Sequence, residues 1–118
     1  HYGCGGVHAA VRNEKLGLID NWLRHVQDAQ NKHLKEVSCI DDMTQRGDKV
    51  CEINVVEQAL NVCQTSIVQD AWTRGQQLTV HGLIYGLSDG LLKDLGMTVD
   101  LADNVDEVYG QAIKGILS

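Results

Sequence analysis

Proline and phenylalanine are both absent from the 118 residues, and nothing else in the sequence accounts for either. Other shortages exclude whole classes of function. Basic residues are few and scattered, ten Lys and Arg against sixteen Asp and Glu, and the net charge of −6 argues against a nucleic-acid surface. No apolar run approaches the roughly 20 residues that span a bilayer, so no membrane partner is expected. No signal-peptide pattern, internal repeat or low-complexity segment is present. Apolar residues are not in short supply: at 43% they give no ground for expecting disorder. The length allows one small domain.

The four cysteines, Cys4, Cys39, Cys51 and Cys63, would suffice for two disulfides. The chain is not otherwise a loop-rich secreted scaffold, and Cys51 and Cys63 fall within a helical pattern. Free thiols in a reducing compartment are therefore expected, which places the protein inside the cell, in the cytoplasm or an organelle.

Apolar spacing predicts most of the elements. Gly6 to Asn13 is expected to form a short helix. A second follows, with Leu16, Ile19, Trp22, Leu23 and Val26 on its apolar face. Gln27 to Lys35 is polar, a solvated helix or two short turns, and Ser38 to Asp48 has turn chemistry. The strongest helical signal runs from Asp48 to Arg74, where Ile53, Val56, Leu60, Cys63 and Ile67 recur at spacings of three and four. Val55, Ala59, Val62 and Ala71 widen that stripe, so two covered sides are expected, one against a sheet and one against a second subunit. Gly75 closes the helix. Leu78 to Leu87 is apolar along its length, as a buried central strand would be. Ser88-Asp89-Gly90 is a turn, Leu91 to Val99 an edge strand, and Asn104 to Glu107 a capping box opening a final amphipathic helix. Two strands alone are marginal, so the chain is not expected to fold stably by itself.

The stretch with most chemistry is His1-Tyr2-Gly3-Cys4-Gly5-Gly6, which puts an imidazole and a thiol three positions apart ahead of a helix. Cys4 would sit where unpaired backbone N–H groups and the helix macrodipole favour a thiolate. Gly5 and Gly6 would leave room beside a metal and let the backbone approach a small ligand. By itself His-x-x-Cys is half of a zinc site.

His1 to Val7 resembles the second zinc-ligand segment of the β-class carbonic anhydrases. The resemblance continues through Leu16–His25, Cys51–Gln58, Ala71–Gln76 and Val80–Leu87, in the family's order. It implies an α/β, Rossmann-like fold with a mostly parallel sheet flanked by helices. This chain would supply the C-terminal helices and about two strands of that single domain. It implies reversible hydration of carbon dioxide to bicarbonate and a proton by a zinc-bound hydroxide, in a homo-dimer or higher oligomer. His1 and Cys4 match two of the Zn²⁺ ligands, and Gly5 and Gly6 line the substrate side through their backbone. The family's Cys-x-Asp-x-Arg segment, which carries the remaining Cys ligand and an Asp–Arg pair, has no counterpart here. The chain thus resembles the C-terminal part of a subunit that needs its remainder, and no catalytic residue can be named within it. In some members the tyrosine matching Tyr85 helps hold a second, inhibitory bicarbonate; the alternative is a buried tyrosine with its hydroxyl satisfied.

Cys63 is expected in the core and Cys51 as a half-exposed structural residue; Cys39, in a polar loop, would be the stray ligand if there were one. His8 is either a solvated surface residue or a proton relay. His25 and His33 look exposed, and His81 looks like a hydrogen-bonded residue of a buried strand. Two rivals stand beside the enzyme reading. One is a non-catalytic zinc- or bicarbonate-binding relative, or an inactive fragment. The other is an unrelated helical interaction protein.

Overall fold

The computed structural model describes residues 1–118. The elements run α1 (Gly5–Val11), α2 (Asp20–Lys32), α3 (Leu34–Ser38), α4 (Met43–Cys63), α5 (Ser66–Thr73), β1 (Val80–Tyr85), β2 (Leu92–Val99), a 3₁₀ turn and α6 (Val105–Leu117). α4 is the axis of the molecule, with β1, β2, α1, α2 and α6 all packed on it. Val50, Ile53, Val56 and Cys63 on α4 join Ile84, Met97 and Val99 of the strands in a core from which water is excluded. The two covered sides expected of this helix are present. The second is covered largely by α1 and α2 of the same chain, while Val62 of the predicted stripe stays 46% exposed.

The predicted Asp48–Arg74 helix is two helices with shifted limits. α4 starts five residues earlier because Asp42 caps it, accepting the Gln45 N–H at 2.8 Å. It stops at Cys63 because Thr65 competes for the backbone: its hydroxyl donates to Val62 O and accepts from Val68 N–H, starting α5. Ile67 thereby rotates off the stripe and is 79% exposed. The second predicted helix, by contrast, starts late, at Asp20, whose carboxylate accepts the N–H groups of Leu16 and Gly17 and holds them in a turn. Of the predicted face Leu16, Ile19 and Trp22 are left exposed, Val26 is half-buried and Leu23 is buried. Gly75 ends α5 at φ +76° as expected, but Asn104 makes no side-chain cap at α6.

The sheet is a single antiparallel pair. β1 is not buried on both faces: Gly82 and Ile84 point inward, while His81, Leu83 and Tyr85 point out. The physical reason is that α4 and α6 cover one face only. Leu95 and Gly96 form a bulge between the pairs Gly82–Met97 and Leu83–Asp94, with Gly96 at φ +75°. At Gly82 a Cβ would lie 2.8 Å from Met97 Cβ, so only glycine permits this approach. The radius of gyration is 15.1 Å, against about 13.5 Å for a compact chain of this length.

Candidate metal centre

His1 to Cys4 form a short loop between the end of β1 and the start of α4. Tyr2 N–H donates to Tyr85 O at 3.0 Å, pinning the loop to the strand. Gly3, at φ +66°, takes the left-handed conformation that turns the chain into α1. On the other side Gly3 N–H donates to Asp48 Oδ1 at 3.1 Å, and the Tyr2 hydroxyl donates to Glu52 Oε1 at 2.5 Å.

The two donor side chains flank this pinned centre. His1 is exposed, with Nδ1 2.8 Å from Tyr2 O. A carbonyl only accepts, so Nδ1 carries a proton and, in the neutral ring, Nε2 is the nitrogen left to bind a metal. Cys4 is half-buried at the N-cap of α1 and makes no side-chain capping bond. A thiol and an imidazole nitrogen are a donor set that suits Zn²⁺. Beside them a Cβ on Gly5 would meet nothing, and one on Gly6 would meet Leu23 Cδ2 at 3.3 Å and Cys4 Sγ at 4.0 Å. Gly5 therefore keeps open space, whereas Gly6 serves the approach of α1 to α2. A cleft of about 580 Å³ opens next to the loop, with Tyr2, Asp48, Gly86, Asp89 and Lys93 on its walls.

A second group of ligand-type side chains lies behind the loop. Donor atoms of His8, Asp48 and Cys51 are within 4.8 Å of one another. His8 is neither solvated nor free: its ring packs against Gly47, where a Cβ would come within 2.3 Å of it, and Nε2 is 3.3 Å from Asp48 Oδ1. Cys51 is buried, not half-exposed, and burial pushes its thiol up to about 11, with the backbone of Cys4 working against that shift. Within this group the side-chain hydrogen bond is the one between His8 and Asp48.

Glu52 is the residue that sequence reasoning missed. It is 4% exposed, and burial alone would raise its pKa. Hydrogen bonds from Lys93, Tyr2 and Lys49 outweigh this and hold the carboxyl below its ordinary value. Lys93 Nζ lies 2.9 Å from Oε1 and Lys49 Nζ 3.0 Å from Oε2. The signal was available as two carboxylates, Asp48 and Glu52, at a spacing of four on one helical face.

The remaining candidates are dispersed. Tyr85 is 41% exposed and its hydroxyl has no protein partner, so it is not the buried, satisfied tyrosine of the alternative reading. His81 is exposed, with Nδ1 3.1 Å from Thr98 Oγ1, because β1 has a bare face. His33 is largely covered and lies 3.3 Å from Glu57, whereas His25 is exposed against Trp22. Cys39 is exposed and bonded to Lys35 O, and Cys63 is in the core. No helix is long and apolar enough to cross a membrane.

Comparison with known proteins gives one consistent answer. A family model described as carbonic anhydrase matches residues 1–92. A carbonic anhydrase of Emericella nidulans is 40% identical over 111 residues, covering 92% of this chain and 48% of the relative. Among solved structures, a Coccomyxa β-carbonic anhydrase in complex with acetazolamide superposes with a TM-score of 0.81 at 32% identity, over 91% of this chain and 49% of the other. A β-carbonic anhydrase of Aspergillus fumigatus gives 0.71 at 32% identity, over 100% and 53%. One of two tetrameric β-carbonic anhydrases of Sordaria macrospora gives 0.75 at 27% identity, over 84% and 50%. The chain spans about half the length of the relatives it matches.

Proposed function

The chain belongs to the β-class carbonic anhydrase family, and on that premise we propose that it carries two of the zinc ligands, His1 and Cys4, of an enzyme interconverting carbon dioxide and bicarbonate. The observation that carries this is the pinned loop: the family match begins at His1, and the two donors flank a backbone held from both sides. The sequence-level rival of an unrelated helical protein is set aside by the family match.

When bound, zinc supplies a Lewis acid that brings the pKa of water to about 7, the condition for hydrating carbon dioxide at neutral pH. The chain's own residues do the rest of what can be assigned to it. The Nδ1–H bond of His1 to Tyr2 O fixes the tautomer that offers Nε2 to the metal. Cys4 offers its sulfur from the start of α1, and Gly5 leaves the adjacent space clear for substrate. Completion of the ligand set requires the remainder of the subunit, which would also pair with the open edge of β1 in a mostly parallel sheet. Tyr85, exposed at that edge, is assigned to a second, inhibitory bicarbonate. Assembly as a homo-dimer or higher oligomer is part of the same proposal, with Leu16, Leu18, Ile19 and Trp22 exposed and available for burial.

The test is made on the full-length protein. Zinc content and stopped-flow carbon dioxide hydration should both be lost in His1→Ala and in Cys4→Ser. Zinc retained by the wild type without any hydration would support a non-catalytic relative instead. Tyr85→Phe should relieve inhibition by bicarbonate; unchanged inhibition removes that residue's role.

A further inference from the structure

We propose that Asp48 and Glu52 are positioning residues of the metal site, holding the His1–Cys4 loop from α4 through Gly3 N–H and the Tyr2 hydroxyl. The proposal rests on the reading in which His1 and Cys4 bind zinc. Between those two residues lie only Tyr2 and Gly3, and these supply every backbone and side-chain tether that joins the middle of the loop to the fold. The N–H of Tyr2 goes to β1 and the N–H of Gly3 to α4. Successive N–H groups bonded to supports on opposite sides fix the peptide plane between them, and with it the directions in which His1 and Cys4 leave the backbone. Gly3 sits in the left-handed region, a conformation that a flexible loop samples among many, so external bonds are needed to select it.

The choice of carboxylates has a physical basis. Bonds from neutral donors to an ionised acceptor are roughly twice as strong as neutral pairs. Glu52 is buried yet kept ionised by Lys93 and Lys49, and it accepts from Tyr2 in addition. Lys93 Nζ also lies 3.3 Å from the Tyr2 hydroxyl and 6.0 Å from its ring centre. Asp48, one helical turn earlier, adds the Gly3 bond and the contact to His8.

A purely structural role for Glu52 would be met by its pairing with Lys93, which already joins α4 to β2. The Tyr2 bond is surplus to that role, and Tyr2→Phe removes it while leaving the carboxylate and both lysines in place. The experiment therefore measures zinc affinity by competition with a chromophoric chelator, and the visible spectrum of the cobalt(II)-substituted form, in full-length Tyr2→Phe, Asp48→Ala and Glu52→Gln. Tyr2→Phe and Asp48→Ala are each expected to weaken zinc binding about 10- to 100-fold and to shift the cobalt bands, with the melting temperature of metal-free Tyr2→Phe close to that of the wild type. Should Glu52→Gln fail to fold, Tyr2→Phe decides alone. Zinc affinity within about twofold of wild type and unshifted cobalt bands in Tyr2→Phe and Asp48→Ala would overturn the proposal, twofold being too small for a lost hydrogen bond. His1→Ala and Cys4→Ser are measured alongside; if they bind zinc as the wild type does, the ligand assignment itself fails and the positioning role goes with it.

Discussion

Glu52 and Glu57 lie five residues apart on one helix, both buried, each with three side-chain partners, yet they serve different parts of the molecule. Glu52 accepts from Tyr2, Lys49 and Lys93, on the His1–Cys4 loop, its own helix and β2. Glu57 accepts from Lys32, lies 3.3 Å from His33 Nε2, and accepts the Tyr109 hydroxyl at 2.5 Å, so it joins the end of α2, the start of α3 and α6. Burial pushes both carboxyls up and their hydrogen bonds bring both below the ordinary value. A separation of five residues turns the side chain by about 140° around the helix, so the same chemistry faces the site on one side and the helical packing on the other. A buried carboxylate with a tyrosine and a lysine is thus a general fastening here, and only its address gives it a functional meaning.

The sharpest way to break this contrast is Glu57→Ala. It should cost about 3 kcal/mol in equilibrium urea unfolding of the full-length protein, by stranding a covered tyrosine hydroxyl and a histidine, and leave zinc affinity untouched. Weakened zinc binding in that variant would erase the distinction. Next in size is Gly47→Ala, on the Glu52 side, where the new methyl would strike the His8 ring; a loss of about 2 kcal/mol is expected. In a His8→Ala background the same change should be neutral or favourable, since alanine is the better helix former. Tyr109→Phe, the mirror of Tyr2→Phe, should cost about 1 kcal/mol with an unaltered cobalt spectrum. The smallest effect is on pH dependence. A carboxyl with a depressed native pKa stabilises the fold above its unfolded value, and that contribution is lost as pH falls from about 4.5 through the lower native value. Chemical denaturation at pH 3 to 5 should therefore show a shallower acid loss in Glu57→Gln than in the wild type.

Residue patterns exposed the helices better than their ends, and the motif better than its supports. Ile53, Val56 and Cys63 were recognisable as core from their spacing, because α4 is long enough for period to dominate. Thr65 was not recognisable as a break, since the apolar stripe continues through Ile67 and only the capping geometry shows the interruption. Leu83 and Tyr85 appeared buried because an apolar run resembles a central strand whether or not a second layer covers it. At the site, His1 and Cys4 announced themselves by chemistry and by family resemblance. Asp48, Glu52 and Lys93 did not: the spacing of Asp48 and Glu52 marked only a shared helical face, and the contacts that join them to the loop and to β2 span 40 to 91 residues of sequence, beyond the reach of a local pattern.

That separation has a consequence for the order in which the chain acquires its shape. The bonds of Tyr2 reach to Tyr85 and Lys93, so the first residues of this segment wait for some of its last before they are held. Contacts of such span form late, after the loop entropy of the intervening chain has been overcome. During synthesis the imidazole and thiol therefore emerge long before the hairpin that steadies them, and on the proposed ligand assignment metal capture would be tied to the closing steps of folding rather than to its nucleus.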